Sequence, residues 1–383
     1  VGEILWPIHP RPFRGELLSS WISRSALTHG QIPYTFLRLT VRDADTWKND
    51  IDIFCPKQIV EKLSSKTGLS PQVIQKLTFY NDADLLYENR KMAVQIKWIL
   101  PLRLRRPNDP RPALQMCPSC LKEAKHPHFL KVWRLAFYTS CLVHRRLLHD
   151  HCPSCGSSIN LRKVHTTALV HKQSQGIALC AACGFDFRKA PMQTAPEDLI
   201  RMTRRCIHFY QNGYGSLGKE HIPYSHLFFE GMRVLCSFLA YRKAGEQFYE
   251  LIANKLGLNP DHTYRNSNEH SEVELLPASL RVDCLRMLNW LFEDWPNRII
   301  ETCKLAHVPA NSIIMTKDAR PHWLSKVIRL NLLSPYYQPS VAEVTSVISF
   351  LRRNQTVLSR KIYGETIGPG KYSRLFPMIQ KTT

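Results

Sequence analysis

Four short donor pairs between residues 117 and 183 constrain this chain more than any other feature. They read Cys117-Pro-Ser-Cys120, Cys141-Leu-Val-His144, Cys152-Pro-Ser-Cys155 and Cys180-Ala-Ala-Cys183. Two residues between paired donors let one tight turn supply two corners of a tetrahedron, so two such turns complete one zinc site. Grouped sequentially, Cys117, Cys120, Cys141 and His144 hold one ion, and Cys152, Cys155, Cys180 and Cys183 hold the other. A cross-braced grouping, first turn with third and second with fourth, stays open. Four protein donors leave no coordination position for water, so the expectation is two structural zinc ions whose binding adds folding free energy to this segment. His126, His128, His149 and His151 lie nearby and are read as surface or supporting groups, because the pairs already complete both sites.

A chain of 383 residues, 44% hydrophobic, has room for two or three domains with real cores. Its formal net charge of +21 calls for an acidic partner, of which nucleic acid is the commonest. The charge is spread along the chain rather than gathered on one amphipathic helix, which speaks against a membrane surface. No apolar run approaches the ~20 residues that span a bilayer. Of the 12 cysteines, Cys55, Cys206, Cys236, Cys284 and Cys303 lie outside the pairs, in apolar surroundings. That usage suits metal in a reducing compartment rather than a disulfide scaffold. The opening Val1–Trp6 has no basic region leading into an apolar one, so no secretory leader is expected.

The fold class expected is mainly α, in three parts. Residues 1–112 form a helical N-terminal domain, 113–190 a tandem zinc-finger segment with short β-ribbons, and 191–383 a helical C-terminal domain with a helix-turn-helix-like end. Pro7, Pro10 and Pro12 forbid helix at the start. Leu17, Leu18, Trp21, Ile22 and Ala26 then share one helical face, with Arg24 near the opposite edge. Residues 58–79 read as a helix-turn-helix-like pair, a packing scaffold in preference to a base reader: Ile59, Val60 and Leu63 face inward before the turn at Gly68, then Ser70 caps and Pro71 opens a second helix with Val73, Ile74 and Leu77 inward. Residues 99–113 are a basic, proline-broken connector, either a solvated linker or a phosphate contact for which Arg103, Arg105 and Arg106 are the candidates. Phe129–Phe137 is apolar enough to cover the first metal site and dock it on a neighbour. Helices are expected over 196–211, 223–242, 245–256, 277–293, 296–306, 321–333, 340–353 and 356–363. Gln211–Gly218 is read as a flexible joint. The final pair of helices carries Arg352, Arg353, Arg360 and Lys361 in a stretch poor in acids, the best candidate for a DNA-facing end.

No catalytic constellation emerges: there is no phosphate loop, no H-E-x-x-H pair and no G-x-S-x-G elbow. The chain reads as a non-enzyme.

Two stretches resemble the TniQ family. One is Pro10-Arg-Pro-Phe-Arg-Gly-Glu16-Leu-Leu-Ser-Ser-Trp21-Ile-Ser-Arg24, with Leu17-Leu18 where the family has Ser-Leu. The other runs through Met116-Cys-Pro-Ser-Cys120, Trp133-Arg, Cys141-Leu-Val-His144-Arg-Arg-Leu147-Leu and Cys152-Pro-Ser-Cys155-Gly156. The resemblance covers about the first half of the chain. It implies a non-catalytic target-selection protein of Tn7-like transposition in the bacterial cytoplasm. The implied adaptor links a CRISPR effector (Cascade or Cas12-type, with its guide RNA) at target DNA to the AAA+ regulator TnsC. The alternative is a DNA-binding selector of the TnsD kind, which reads a fixed attachment site. By the same analogy Trp21 and Arg24 belong to a TnsC-contacting surface. Whether the protein is a monomer or a homodimer is left open.

Overall fold

Leu17 to Leu27 is apolar on one side and studded with small serines on the other, a pattern that lets a helix be approached closely from both directions. It forms the first helix, α1 (Leu18–Thr28). The computed structural model describes residues 5–41, 50–86, 97–102, 113–165, 174–241, 245–259, 272–308, 313, 321–332 and 341–354. Every residue of α1 from Leu18 to Leu27 is buried. Leu18, Trp21, Ile22 and Ala26 pack with Phe36 and Leu37 of α2 (Pro33–Val41) and with Ile59, Val60 and Leu63 of α3 (Lys57–Thr67). The other side of α1 meets the cysteine-rich segment. Phe129 N donates to Ser20 Oγ (2.9 Å), Leu17 N to Phe129 O (2.9 Å), and Ser23 Oγ to Leu161 O (2.6 Å).

α3 ends at Gly68, whose φ of +70° suits a residue without Cβ. The next helix, α4 (Pro71–Lys76), has Pro71 in its first turn as expected, but the Ser70 side chain makes no cap bond. Ile74 and Leu77 are buried, whereas Val73 is 37% exposed and does not face inward. α5 (Ala83–Leu86) follows.

Residues 113–150 form the hub of the fold. The strand-like bridges Glu16↔Leu130, Ile99↔Leu135 and Arg146↔Thr194 tie this segment to chain on both sides of it. Phe129, Trp133, Leu135 and Phe137 are all buried, as their apolar run implies. Phe137 stacks on Phe229 at 4.9 Å and meets Tyr210 at 6.4 Å, which docks the segment on the helices that follow. α6 (Pro118–Glu123) and a two-residue ribbon, β1 (Ser140–Cys141) with β2 (Arg146–Leu147), lie within it.

The C-terminal helices are α7 (Glu197–Asn212), α8 (Ser225–Tyr241), α9 (Glu246–Leu256), α10 (Ala278–Glu293), α11 (Asn297–Leu305), α12 (His322–Asn331) and α13 (Val341–Arg353). They match the helices expected from apolar periodicity to within about two residues at each end. The helix expected at 356–363 lies outside the described residues. The architecture is mainly helical, with few short antiparallel strands. Residues 211–218 are not a flexible joint. Gly213 (φ +80°) closes α7, and β3 (Gly215–Leu217) pairs with β4 (Glu220–Ile222) around a turn opened by Gly218 (φ +55°). Leu217 and Ile222 sit under this hairpin at 1% exposure and hold it down.

The chain forms two compact units, Val1–Lys326 and Val327–Thr383. The boundaries expected near residues 112 and 190 therefore run inside the first unit. Polar links cross both: Arg281 of α10 pairs with Asp150 (3.1 Å) and donates to Ala136 O (2.9 Å), and Tyr210 donates to Asp82 (2.5 Å). In the second unit Leu351 is buried while Arg352 and Arg353 are exposed at the end of α13. Among the described residues no helix is long and apolar enough to cross a membrane.

Candidate metal centres and the buried Glu16–Arg24 knot

Each of the four donor pairs is built by the same turn. The N–H four residues after the first cysteine donates to that cysteine's carbonyl: Leu121 to Cys117 (3.1 Å), Arg145 to Cys141 (2.8 Å), Gly156 to Cys152 (2.9 Å) and Gly184 to Cys180 (2.9 Å). Three of these closing residues have positive φ, Arg145 at +54°, Gly156 at +69° and Gly184 at +75°. The glycines take that conformation without a Cβ penalty. The turn aims both donors of a pair to one side.

The turns associate sequentially. Cys117, Cys120, Cys141 and His144 form one cluster, and Cys152, Cys155, Cys180 and Cys183 the other, with the donor atoms of each within 4.8 Å of one another. In the first, Cys120 and Cys141 sulfurs are 3.6 Å apart, and His144 Nδ1 is 3.6, 3.2 and 3.6 Å from Cys117, Cys120 and Cys141. In the second, Cys152–Cys183 and Cys155–Cys180 are each 3.7 Å apart. Donors around a tetrahedral zinc, at about 2.3 Å for sulfur and about 2.0 Å for nitrogen, stand about 3.5–3.8 Å from one another. A disulfide needs about 2.05 Å, and all these cysteines are free. The donor sets fit a four-coordinate thiophilic ion at both places. Such an ion, when bound, ties two donor turns together and offers no open position for chemistry.

His144 Nε2 lies 2.9 Å from Glu123 Oε2. A carboxylate on the far ring nitrogen fixes the imidazole's tautomer and orientation, leaving Nδ1 as the donor. Glu123 was not singled out from sequence; its position three residues after Cys120, on α6, is the signal that finds it. Of the nearby histidines, His149 sits 2.7 Å from Pro191 O, His151 Nδ1 is 2.9 Å from Asp150, and His128 stacks on Phe13 at 4.5 Å. None of them joins a cluster among the described residues.

Trp21 and Arg24, expected to offer a surface to a partner, are 0% and 2% exposed, and this corrects the expectation. Arg24 forks onto Glu16 with Nε at 2.8 Å and Nη2 at 2.7 Å, and Glu16 is itself fully buried. Glu16 also accepts from Phe13 N (2.9 Å) and Ser20 Oγ (2.9 Å). The Phe13 ring covers the guanidinium at 4.4 Å, Arg24 Nη2 donates to Arg11 O, and Trp21 Nε1 donates to Pro10 O (2.7 Å). Glu16, Ser20 and Arg24 stand at i, i+4 and i+8, along one stripe as α1 begins. The signature from Pro10 to Arg24 is thus a closed knot that pins the proline-rich start onto α1.

A second buried cation holds the hub from the other side. Arg134, fully buried, forks onto Asp50 (2.8 and 2.6 Å) and reaches Asp52 (3.2 Å) and the Leu100 carbonyl. Asp52 also takes Ser19 N (2.7 Å) and Ser19 Oγ (2.8 Å) from α1. Burial pushes the Asp52 carboxyl up to about 6 against the pull of Arg134. Burial also works against the Arg134 charge, but Asp50 and Asp52 outweigh it and hold that guanidinium above its ordinary value.

Of the cations expected to meet nucleic acid, Arg352 and Arg353 are exposed on α13. Arg103, Arg105, Arg106, Arg360 and Lys361 lie outside the described residues.

A family model described as TniQ matches residues 7–148, which takes in the Glu16–Arg24 knot and the whole first cluster and stops short of the second. No curated protein matches the chain.

Proposed function

We propose that the chain, whose residues 7–148 match the TniQ family model, selects targets for transposition as a non-catalytic adaptor. It links a CRISPR effector and its guide RNA at target DNA to a TnsC-like AAA+ regulator. The observation that carries this reading is the extent of the family match. It covers one continuous body of chain within the first compact unit, from the knot at Glu16 to the cluster at His144, rather than a lone motif. Both clusters suit two structural zinc ions, with Cys117, Cys120, Cys141 and His144 on one and Cys152, Cys155, Cys180 and Cys183 on the other. Four donors apiece brace a scaffold and activate no water. With Trp21 and Arg24 inside the protein, the regulator meets other parts of this body, and those two residues act by holding its shape.

A second reading, a TnsD-like selector that reads a fixed attachment site directly, is favoured by the +21 charge and by the exposed Arg352 and Arg353. Reconstituted insertion separates the two. With transposase, AAA+ regulator and a guide-loaded effector, the adaptor reading expects insertion beside the guide-matched site only when this chain is present. Insertion at one fixed sequence without any effector, together with discrimination of that duplex by about 4–10 kcal/mol, would establish the second reading instead. Recruitment of the regulator to target that is the same with and without the chain would overturn both.

A further inference from the structure

We propose that the groove between α7 and the β3–β4 hairpin binds an unpaired stretch of nucleic acid. This deepens the reading above, on which the chain works at a nucleic-acid target, and puts a contact where no motif pointed. The groove encloses about 520 Å³ and is lined chiefly by Arg204, Arg205, His208, Tyr214, Ser216 and His221, with no acidic residue. Arg204 and His208 stand one turn apart on the exposed side of α7. Among the described residues neither Arg204 nor Arg205 has a carboxylate within ion-pair distance. Neighbouring arginines do: Arg201 holds Glu293 at 2.8 Å and Arg286 holds Asp198 at 2.9 Å. Arg205 is instead steadied by Asn289 Oδ1 (3.2 Å) and by the Phe292 ring, 6.0 Å from its guanidinium.

The opposite wall is set by a glycine. A Cβ on Gly215 would come within 2.6 Å of the Phe209 ring, so only glycine lets the hairpin lie down on α7. With Gly215, Leu217 and Ile222 turned inward, the cross-strand pair Ser216 and His221 faces out into the groove. Tyr214 stands at its edge, 54% exposed, with its ring 6.2 Å from that of His221.

A guanidinium with no carboxylate in ion-pair reach at a concave surface, as Arg204 is among the described residues, is a phosphate seeker. Exposed aromatic faces beside it are stacking platforms for bases. In a duplex those base faces are already covered by their neighbours, so stacking of this kind selects unpaired strands.

The test is fluorescence anisotropy on the full zinc-loaded chain. The probes are a labelled 20-nucleotide single strand, as DNA and as RNA, and the DNA duplex of the same sequence. Arg204→Ala and Tyr214→Ala alter exposed side chains, and unchanged far-UV circular dichroism shows that each variant is folded. Arg204→Ala is expected to weaken single-strand binding and to lower the slope of log affinity against log salt by about 0.7. Tyr214→Ala is expected to weaken single-strand binding at least about fivefold and to leave the duplex unaffected. Tighter binding of RNA assigns the groove to a guide strand, and tighter binding of DNA to a displaced target strand; both support it. Variants that bind single strands like the unaltered chain, or a Tyr214→Ala loss equal on duplex and single strand, would overturn the proposal. Binding is read without any transposition component, so failure here is distinct from failure of regulator recruitment, which is scored in the insertion assay.

Discussion

The two metal clusters share one sequence signature and one turn geometry and differ in what the fold packs around them. In the first, Cys117 and Cys141 are buried and His144 is oriented by Glu123. The intervening Phe129–Phe137 run is packed between α1 and the C-terminal helices. In the second, Cys152 and Cys180 are buried but Cys155 and Cys183 are exposed, and the segment meets α1 through the bond from Ser23 to Leu161 O and through residues 174–178. The family match divides them in the same place, including the first cluster and excluding the second. A four-donor turn motif reports that a metal fits. How much of the protein depends on that metal is decided by what the chain between the turns is packed against.

The sharpest way to break this comparison is to remove one donor from each cluster. Cys141→Ser is expected to abolish cooperative unfolding of the unit up to Lys326, while Cys183→Ser leaves a cooperative transition with a modestly lower midpoint. Thermal melts followed by near-UV circular dichroism check this, and equal losses would erase the distinction. Next in size is Arg134→Met, which strands Asp50 and Asp52 beside the first cluster's supporting chain. A cost of about 3–5 kcal/mol is expected from breaking a buried pair. The pH dependence carries a sign. Asp52 already sits above its ordinary value when folded, so its share of stability is present below about 3.8 and lost as pH rises through about 6. Without Arg134 that carboxylate loses its cation, so denaturant melts of the variant should show a steeper fall in stability between pH 5 and pH 8 than those of the unaltered chain.

Glu123→Gln is expected to weaken metal at the first cluster by about 10–100-fold and to leave the second unchanged, as read by competition with a chromophoric chelator. The smallest effect belongs to Ser23→Ala, which removes the bond to Leu161 O. About 1 kcal/mol is expected, together with faster hydrogen exchange confined to the segment around the second cluster.

What the chain showed in advance was local. The donor turns are legible because two intervening residues fix the geometry of each pair, and the C-terminal helices because apolar side chains recur every three to four residues. What stayed hidden needed partners far away in sequence. Arg24 looks like an exposed cation until Glu16 and Phe13 close over it, and Val73 looks inward until α4 stops after six residues. Gly213, Gly215 and Gly218 look like a flexible joint. One caps a helix, one clears the Phe209 ring, and one turns a hairpin. The expected division into three parts follows the limits of the cysteine-rich segment. The polar links that cross it, Arg134 to Asp50 and Arg281 to Asp150, join residues 84 and 131 positions apart.

The most direct measurement is native mass spectrometry of the purified protein during titration with a chelator, with near-UV circular dichroism followed in parallel. Two zinc ions are expected at the start. The first to leave should come from the exposed second cluster with the tertiary signal retained, and loss of the other should collapse that signal. A protein with no zinc, or one in which the tertiary signal survives removal of both ions, would contradict the account.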